Sequence, residues 1–331
     1  MAVPIILGVV AAGSALYGAY KGVSGVKDHS TANDMNGSAK SMVDSAIERA
    51  NEKRQEVNAV LEDYGSRKLR AFNGIIADFI ETFGKLKNVE GIRSPELDKL
   101  NLGDFTMGTL EALRNEYALL KSSGLGLGSG LGGGAALAFG AYNGTMMLAT
   151  ASTGTAISTL SGAAATNATL AWLGGGSIAT GGGGMALGSM VLGGIVAGPA
   201  LAIFGHIVGN KGEEALNNAR SNMEQAKTFQ SEFDVLCTTL DGIQRVTTLA
   251  NQSFSRVSSN LRHAVSDLKR EISAHGEDYA LFPEDAQNVV LRSVKFTQLL
   301  KALIDTPIMD KDGKLVLSTE KQIHELVAHA A

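Results

Sequence analysis

A glycine cluster at 174–184 is the first stretch of this sequence whose residue types suggest chemistry. A phosphate-binding loop needs a lysine followed by Ser or Thr, because the ammonium contacts the phosphates and the hydroxyl contacts magnesium. The nearest lysine, Lys211, is followed by Gly212, and the sequence shows no strand–glycine–helix unit for a dinucleotide. We therefore predict a glycine-rich turn here and no nucleotide site.

A second stretch, Asp-Lys-Asp-Gly at 310–313, contains acidic residues spaced like the start of a calcium loop. An EF-hand would place an acid or Asn where Ile308 stands and a Glu where Thr319 stands. Both positions depart from that pattern. We therefore predict a tight turn at 310–313 that joins two short apolar segments into a small hairpin.

The histidines and the single cysteine do not complete a site either. The histidines are scattered, and His324 and His329, five residues apart, lack the i, i+4 spacing that places two metal ligands on one helix face. His206 stands alone in an apolar stretch, where we predict a neutral side chain, with a pH sensor as the alternative. Cys237 lies in an apolar helical stripe, so we predict that its side chain is buried as a small apolar group. We therefore predict no catalytic residue, no cofactor and no metal, and an enzyme is the least supported class.

The distribution of charge excludes one class of partner and favours another. The formal net charge is -4 and the sequence pI is about 5.9, so no overall positive field attracts nucleic acid. After Lys121 there is no Asp, Glu, Lys or Arg until Lys211. Because part of any soluble fold must face water, we predict that this charge-free region, 122–210, is membrane-active. A dry core of a soluble helical bundle and a poorly ordered tract are the alternatives.

Glycines four residues apart recur in the charge-free region and in the apolar N-terminal stretch. This spacing places small residues on one helix face, so that two backbones can approach closely in lipid. The segments are only mildly hydrophobic, near the threshold of insertion, which suits a chain that is soluble before it enters a membrane. The predicted helix-packing positions are Gly18, Gly22, Gly140, Gly144, Gly184, Gly188, Gly194, Gly198, Gly205 and Gly209.

Two long amphipathic helices flank the charge-free region. Apolar residues at steps of three and four predict the first over 39–86, after a polar turn at 28–38 and with Ser38 as its N-cap. The same period predicts the second over 213–273. Two long helices that flank one insert can pack antiparallel, which would place the charge-free region at one tip of a rod.

Three residues depart from the apolar stripe of the first helix. Arg54 and Lys68 interrupt it, and their stems are predicted to lie along the stripe with the charges in water. Gly65 weakens the helix by about 1 kcal/mol relative to Ala and is predicted to mark a bend.

The predicted fold class is all-α: an elongated antiparallel helical rod or coiled coil with a central glycine-rich apolar segment that acts on a membrane. Shorter helices are predicted at 109–122, 284–305 and 319–330. The predicted parts are an N-terminal apolar helix at 1–27, a helical arm at 39–121, the charge-free region at 122–210, a long coiled-coil helix at 211–275 and a small C-terminal helical subdomain with a short hairpin at 284–331.

The N-terminal stretch, residues 2–20, lacks the basic start and the cleavage site of a secretory signal. We therefore predict a retained apolar helix with no clear cleavable signal peptide. The predicted localisation is membrane-associated. A chain that is soluble before insertion and a permanent membrane protein are the two alternatives.

The layout resembles the α-helical pore-forming toxins of the cytolysin A and haemolysin BL type. The matching features are the helices at 39–86 and 213–273 and the apolar insert between them. The resemblance implies a helical rod whose hydrophobic segment is tucked at one end, reorganises to enter a membrane and oligomerises. The predicted partners are thus a lipid bilayer and further copies of the chain, and the predicted function is permeabilisation of a bilayer. The alternatives are a membrane-anchored scaffold that recruits a coiled-coil protein partner, and a soluble helical binding module with a glycine-packed core.

Overall fold

The computed structural model describes residues 26–93, 98–100, 102–122, 136, 139–141, 212–310 and 314–328. Its α-helices are α1 (Val26–Ala71), α2 (Ala77–Phe83), α3 (Met107–Ser122), α4 (Gly212–His275), α5 (Glu284–Asp305) and α6 (Thr319–Ala328). A π-helical turn, Phe72–Ile76, joins α1 to α2, and a 3-10 turn, Tyr279–Leu281, precedes α5. Over these ranges β-structure is limited to isolated bridges, so the prediction of an all-α protein is confirmed.

These residues divide into two compact units. Unit 1 contains residues 26–56 and 212–241, which are the N-terminal parts of α1 and α4. Unit 2 contains the described residues from 57 to 141 and from 242 to 328. Both long helices therefore have residues in each of the two units.

The core of unit 1 is built mainly from alanines. Its fully buried residues recur at steps of three and four along α1, which places them on one helix face. Phe229 and Phe233 of α4 pack beside them with ring centroids 4.3 Å apart. The small side chains leave little room between the two helices. The buried cluster is Ala39, Val43, Ala46, Ala50, Ala226, Phe229 and Phe233.

Replacing Ala46 with leucine is expected to lower the thermal stability of unit 1. Ala46 has no exposed surface, so the added carbons must displace packed neighbours, at about 1–3 kcal/mol. Thermal melts followed by circular dichroism measure the change. The control is Ser45→Leu, which adds the same side chain at the exposed neighbouring position and should stay within about 0.5 kcal/mol. Equal melting of the two variants would contradict close packing at Ala46.

The first long helix begins well before its predicted start. Residues 28–38, predicted as a polar turn, are helical within α1, and the prediction of Ser38 as an N-cap is wrong. The Ser38 hydroxyl instead donates to the carbonyl oxygen of Asp34, one turn back in the same helix, at 2.9 Å. Ala32 is buried, so the apolar face extends into the polar stretch, and its burial offsets the weak helix propensity of Gly37.

Within each unit α1 and α4 run parallel, so the predicted antiparallel packing is wrong. In unit 1 the amide of Asn222 donates to the Asn36 side-chain oxygen at 3.2 Å. Further along both helices, Arg49 lies 3.3 Å from Asp234. Residue numbers therefore rise together on the two helices.

Unit 2 shows the same direction. The amide of Asn251 donates to Asp63 at 2.9 Å, and after the C-terminal ends of α2 and α4 the Lys87 amide donates to the Glu277 carbonyl oxygen at 2.7 Å. The prediction assumed that the insert closes a hairpin at one tip. A connection as long as residues 84–211 does not require a hairpin, because its reach permits either helix direction.

Aromatic packing around α2 forms one part of the unit 2 core. The ring of Phe105 meets Phe79 at 5.7 Å and Phe83 at 5.2 Å in edge-to-face geometry, an arrangement that aromatic pairs favour. Phe105 is held in place by paired backbone hydrogen bonds to Ile92 at 2.9 and 3.0 Å. The next helix, α3, then begins at Met107, two residues before its predicted start.

The C-terminal helices begin and end where local chemistry predicts. The α4 helix stops before Gly276, whose φ of +85° suits a glycine after a helix end. The α5 helix begins after Pro283 and carries acids in its first turn, which the helix dipole favours. Its bounds equal the predicted 284–305. Residues 284–328 belong to unit 2 with the rest of its core.

None of the helices that the structure describes combines the length and the apolar composition needed to cross a bilayer. The predicted apolar helix at 1–27 lies outside the described residues, except for its last two positions in α1. Of the charge-free region, the structure describes Ser122 at the end of α3, residue 136 and residues 139–141.

Candidate functional site: a buried lysine that holds the charge-free region

Residues 136 and 139–141, here called the anchor segment, are helical and pack directly on α1. The approach is so close that only glycines fit. A Cβ at Gly65 would lie 1.8 Å from the carbonyl oxygen of Ala136, and a Cβ at Gly140 would lie 1.9 Å from that of Leu61. Since 65 faces 136 and 61 faces 140, the anchor segment runs antiparallel to α1.

The backbone of the anchor segment is also held by hydrogen bonds. The Ala141 carbonyl oxygen accepts from the amides of Ile308 and Met309, each at 2.9 Å. The Phe139 carbonyl oxygen accepts from the ammonium or amine of Lys68 at 3.3 Å. The anchor segment is therefore held within unit 2 by its main chain rather than by charged side chains of its own.

Lys68 is the central side chain of this site and has no exposed surface. Besides Phe139, its Nζ donates to the Ile304 carbonyl oxygen at 3.1 Å, and it lies 4.4 Å from the centre of the Tyr64 ring. Burial lowers the pKa of Lys68 to about 7, and the nearby Asp305 partly opposes that shift. A neutral amine has two N–H groups, which match the two carbonyl oxygens.

Tyr64 supports the lysine from the preceding turn of α1. Its hydroxyl donates to the Leu303 carbonyl oxygen at 3.2 Å, and its ring meets that of Phe254 edge to face at 5.9 Å. Burial raises the pKa of the Tyr64 hydroxyl, so it stays protonated and remains a donor. Tyr64 and Lys68 thereby satisfy consecutive carbonyls in the last turn of α5, which would otherwise lack partners.

An acidic group lies beside the buried lysine at the end of α5. Asp305 forms an ion pair with Lys301, and Lys301 also lies 3.0 Å from Glu116 of α3. Burial raises the pKa of Glu116, although Lys301 opposes the shift. This network joins α3 to α5 and leaves Asp305 as the acidic residue whose charge acts on Lys68.

This geometry suits holding a segment in place more than catalysis. The Lys68 nitrogen is enclosed, and its hydrogen-bonding capacity is used by main-chain oxygens. A catalytic amine needs reach to a substrate atom. The contacts instead link the anchor segment to both α1 and the end of α5.

Sequence reasoning missed the role of two residues here. The prediction that the Lys68 charge lies in water is wrong, because carbonyl oxygens of α5 and the anchor segment surround its Nζ. Gly65, predicted to mark a bend, permits the close contact between α1 and the anchor segment. The signal available in the sequence was a lysine inside an apolar stripe, one turn after Tyr64 and three residues after Gly65.

The predicted helix-packing glycines lie mostly outside the described residues. Gly140 is described and packs on α1 beside Gly65. The other nine, including its predicted neighbour Gly144, fall outside the described ranges, and their role in helix packing stays a prediction. His206 falls outside them as well.

Two further predicted features are described. Cys237 is half-buried and packs against the unit 1 core, where burial raises the pKa of its thiol. Near the predicted turn at 310–313, Met309 and Leu315 form an antiparallel bridge, and the Lys314 amide donates to the Asp310 carboxylate at 2.9 Å. These flanking contacts fit a tight turn, while residues 311–313 themselves lie outside the described ranges.

Comparisons with models of known protein families, with curated proteins and with solved structures find no match for this chain. The features that bear on function are therefore the sequence pattern and the geometry of the buried lysine and the anchor segment.

Proposed function

We propose that this chain inserts into a membrane, oligomerises there and permeabilises the bilayer. The observation that carries the proposal is the absence of Asp, Glu, Lys and Arg between Lys121 and Lys211. A charged side chain at the centre of a bilayer is costly, so a membrane-inserting stretch excludes such residues. The amphipathic helices on either side carry the charges that a water-facing framework needs.

Glycine spacing supports the oligomeric part of the proposal. In lipid, helices associate through close backbone contact and not through burial from water. The most apolar segment, 185–208, contains Gly188, Gly194, Gly198 and Gly205. In the described part of the protein, the contact between Gly65 and Gly140 is one example of this chain using glycines for close helix packing.

The anchor segment supports a form in which the charge-free region is held before insertion. Its contacts to α1 and to residues 308–309 use glycines and main-chain hydrogen bonds, which can be exchanged without breaking a covalent link. Insertion would then proceed from the sequence that follows the anchor, 145–208, with α1 and α4 remaining in water. The resemblance to α-helical pore-forming toxins likewise implies that a hydrophobic segment enters the membrane while the long amphipathic helices stay in water.

A single charge in the most apolar segment is expected to stop leakage of dye from liposomes. Ile195→Lys places an ammonium in 185–208, at a cost of about 2.5–3.5 kcal/mol at the centre of a membrane helix. Ser41→Lys adds the same charge at an exposed position of α1 and is the matched control. Purified protein, dye-loaded liposomes and flotation of the same samples provide the measurement.

Leakage by the wild type and by Ser41→Lys, with loss in Ile195→Lys, supports the proposal. A chain lacking 145–208, which keeps the anchor segment, should retain its helical circular dichroism and lose both binding and leakage. If the wild type floats with the liposomes but causes no leakage, the chain anchors to the membrane and does not permeabilise it. Leakage by the shortened chain would show that the charge-free region is not the membrane-active part.

A further inference from the structure

A basic groove lies in unit 2, on the side of α1 that faces α4. It encloses about 720 Å³, and three guanidinium groups line it: Arg67 and Arg70 from α1 and Arg262 from α4. Ser255, Ser258 and Ser259 also line it, and the Ser255 hydroxyl already donates to the Asn251 carbonyl oxygen at 2.8 Å. Guanidinium groups and hydroxyls are donors that match the oxygens of a phosphate.

Two of the three arginines keep their donors available. Arg67 is engaged by Asp63 at 2.9 Å and donates to Ser255 at 3.4 Å. Within the described ranges, Arg70 and Arg262 form no ion pair with an acidic residue, and both are exposed. The groove therefore contains excess positive charge that the protein itself does not neutralise.

The lining acid does not cancel this charge. Asp78 lines the groove, but its carboxylate is paired with Lys269 of α4. Each of the two acids near the arginines, Asp63 and Asp78, thus already has a basic partner. An anion that enters the groove would meet Arg70 and Arg262 without displacing a carboxylate from either.

The π-helical turn shapes the groove. It inserts Gly74 at an exposed position, where a Cβ would meet nothing within 4 Å, so the backbone leaves the space open. Ile75 and Phe254, both buried, provide an apolar floor. Such turns inside an α-helix occur frequently at functional sites.

We propose that this groove binds a phosphate group, held by Arg70 and Arg262 with Arg67 and the hydroxyls of Ser258 and Ser259 beside them. The planar guanidinium donates two parallel hydrogen bonds to one phosphate. The basic rim above an apolar floor fits a phosphate ester whose remaining part is apolar. The ester is either a soluble phosphate compound or the headgroup of a lipid, and the experiment separates these two sources. The site does not depend on the proposed membrane function.

The test compares two arginines of α4 in the full-length chain. Arg262→Gln removes a groove charge, and Arg256→Gln removes an equal charge from an exposed position outside the groove. Inorganic pyrophosphate is titrated by calorimetry, and flotation compares phosphatidic acid vesicles with phosphatidylcholine vesicles. We expect Arg262→Gln to weaken binding about tenfold or more, and Arg256→Gln to change it by less than about twofold. Circular dichroism confirms that both variants fold.

Each outcome decides the proposal. Pyrophosphate binding that depends on Arg262, without a preference for phosphatidic acid vesicles, identifies a soluble phosphate ligand. An Arg262-dependent preference for phosphatidic acid vesicles, reversed by pyrophosphate, identifies a lipid headgroup. The groove is not a phosphate site if Arg262→Gln and Arg256→Gln weaken binding equally, or if neither pyrophosphate nor phosphatidic acid vesicles bind. Leakage of phosphatidylcholine vesicles is recorded separately, since it tests the membrane function without the groove.

Discussion

Gly65→Ala is expected to destabilise unit 2 by about 3 kcal/mol, although alanine is the better helix former. The new methyl group would lie 1.8 Å from the Ala136 carbonyl oxygen and 2.6 Å from the Gly140 amide nitrogen. Both atoms belong to the main chain, so no side-chain rotation can relieve the overlap. The anchor segment must move away from α1, and the Lys68 contact with Phe139 is strained or lost.

Urea unfolding followed by circular dichroism measures this loss. Gly37→Ala is the control in the same helix, because a Cβ at Gly37 meets nothing within 4 Å. That substitution is expected to raise the free energy of unfolding by up to about 1 kcal/mol. Gly140→Ala should resemble Gly65→Ala, and the double variant should lose less than the sum, since the second methyl group enters a gap already opened. The close contact between Gly65 and the anchor segment would be contradicted if Gly65→Ala stabilised the protein. It would also be contradicted if the losses of unfolding free energy in Gly65→Ala and Gly140→Ala were fully additive in the double variant.

The contrast between these glycines shows what could be predicted from the sequence. The helical content followed from apolar residues at steps of three and four, because burial of one face stabilises each helix regardless of its partner. α4 was predicted at 213–273 and extends over Gly212–His275. Gly37 and Gly65 look alike in that local pattern, yet only Gly65 meets another backbone.

Helix direction and the buried lysine depend on residues distant in sequence. The parallel direction of α1 and α4 rests on contacts between residues far apart in the sequence, such as Asn251 and Asp63, which periodicity does not encode. The burial of Lys68 requires acceptors from residues 139 and 304. In isolation, a lysine in an apolar stripe is expected to extend its charge into water, because the acceptors that change this outcome belong to other segments.

The stability of unit 2 is expected to rise with pH between about 7 and 10. The pKa of Lys68 is lowered to about 7 in the folded protein by burial, whereas an unfolded lysine titrates near 10.4. Between these values the unfolded chain binds more protons, so raising the pH favours the folded state. The gain over that range is on the order of 4 kcal/mol. Below about pH 7 the lysine is protonated in both states, and the penalty for its burial is fully present.

Lys68→Met isolates this effect because methionine has a similar length and no charge. At pH 10 the variant is expected to be less stable than the wild type by about 1–3 kcal/mol, since the Phe139 and Ile304 carbonyl oxygens lose their buried donor. At pH 6 the wild type carries a buried ammonium, so the deficit should shrink or reverse. Asp305 and the Tyr64 ring face the lysine and limit the size of the reversal.

Urea unfolding of both proteins at pH 6, 8 and 10 gives the difference in free energy at each pH. The control Lys40→Met removes an exposed lysine from the same helix and is expected to follow the wild-type pH curve. A difference between Lys68→Met and the wild type that is the same at all three pH values would show that the lysine keeps its charge. In that case the two carbonyl oxygens, the Tyr64 ring and Asp305 would together compensate the ammonium for its lost hydration. The anchor segment would then be held by a charged hydrogen bond, which would loosen only at a pH above the usual lysine pKa, near 10.4.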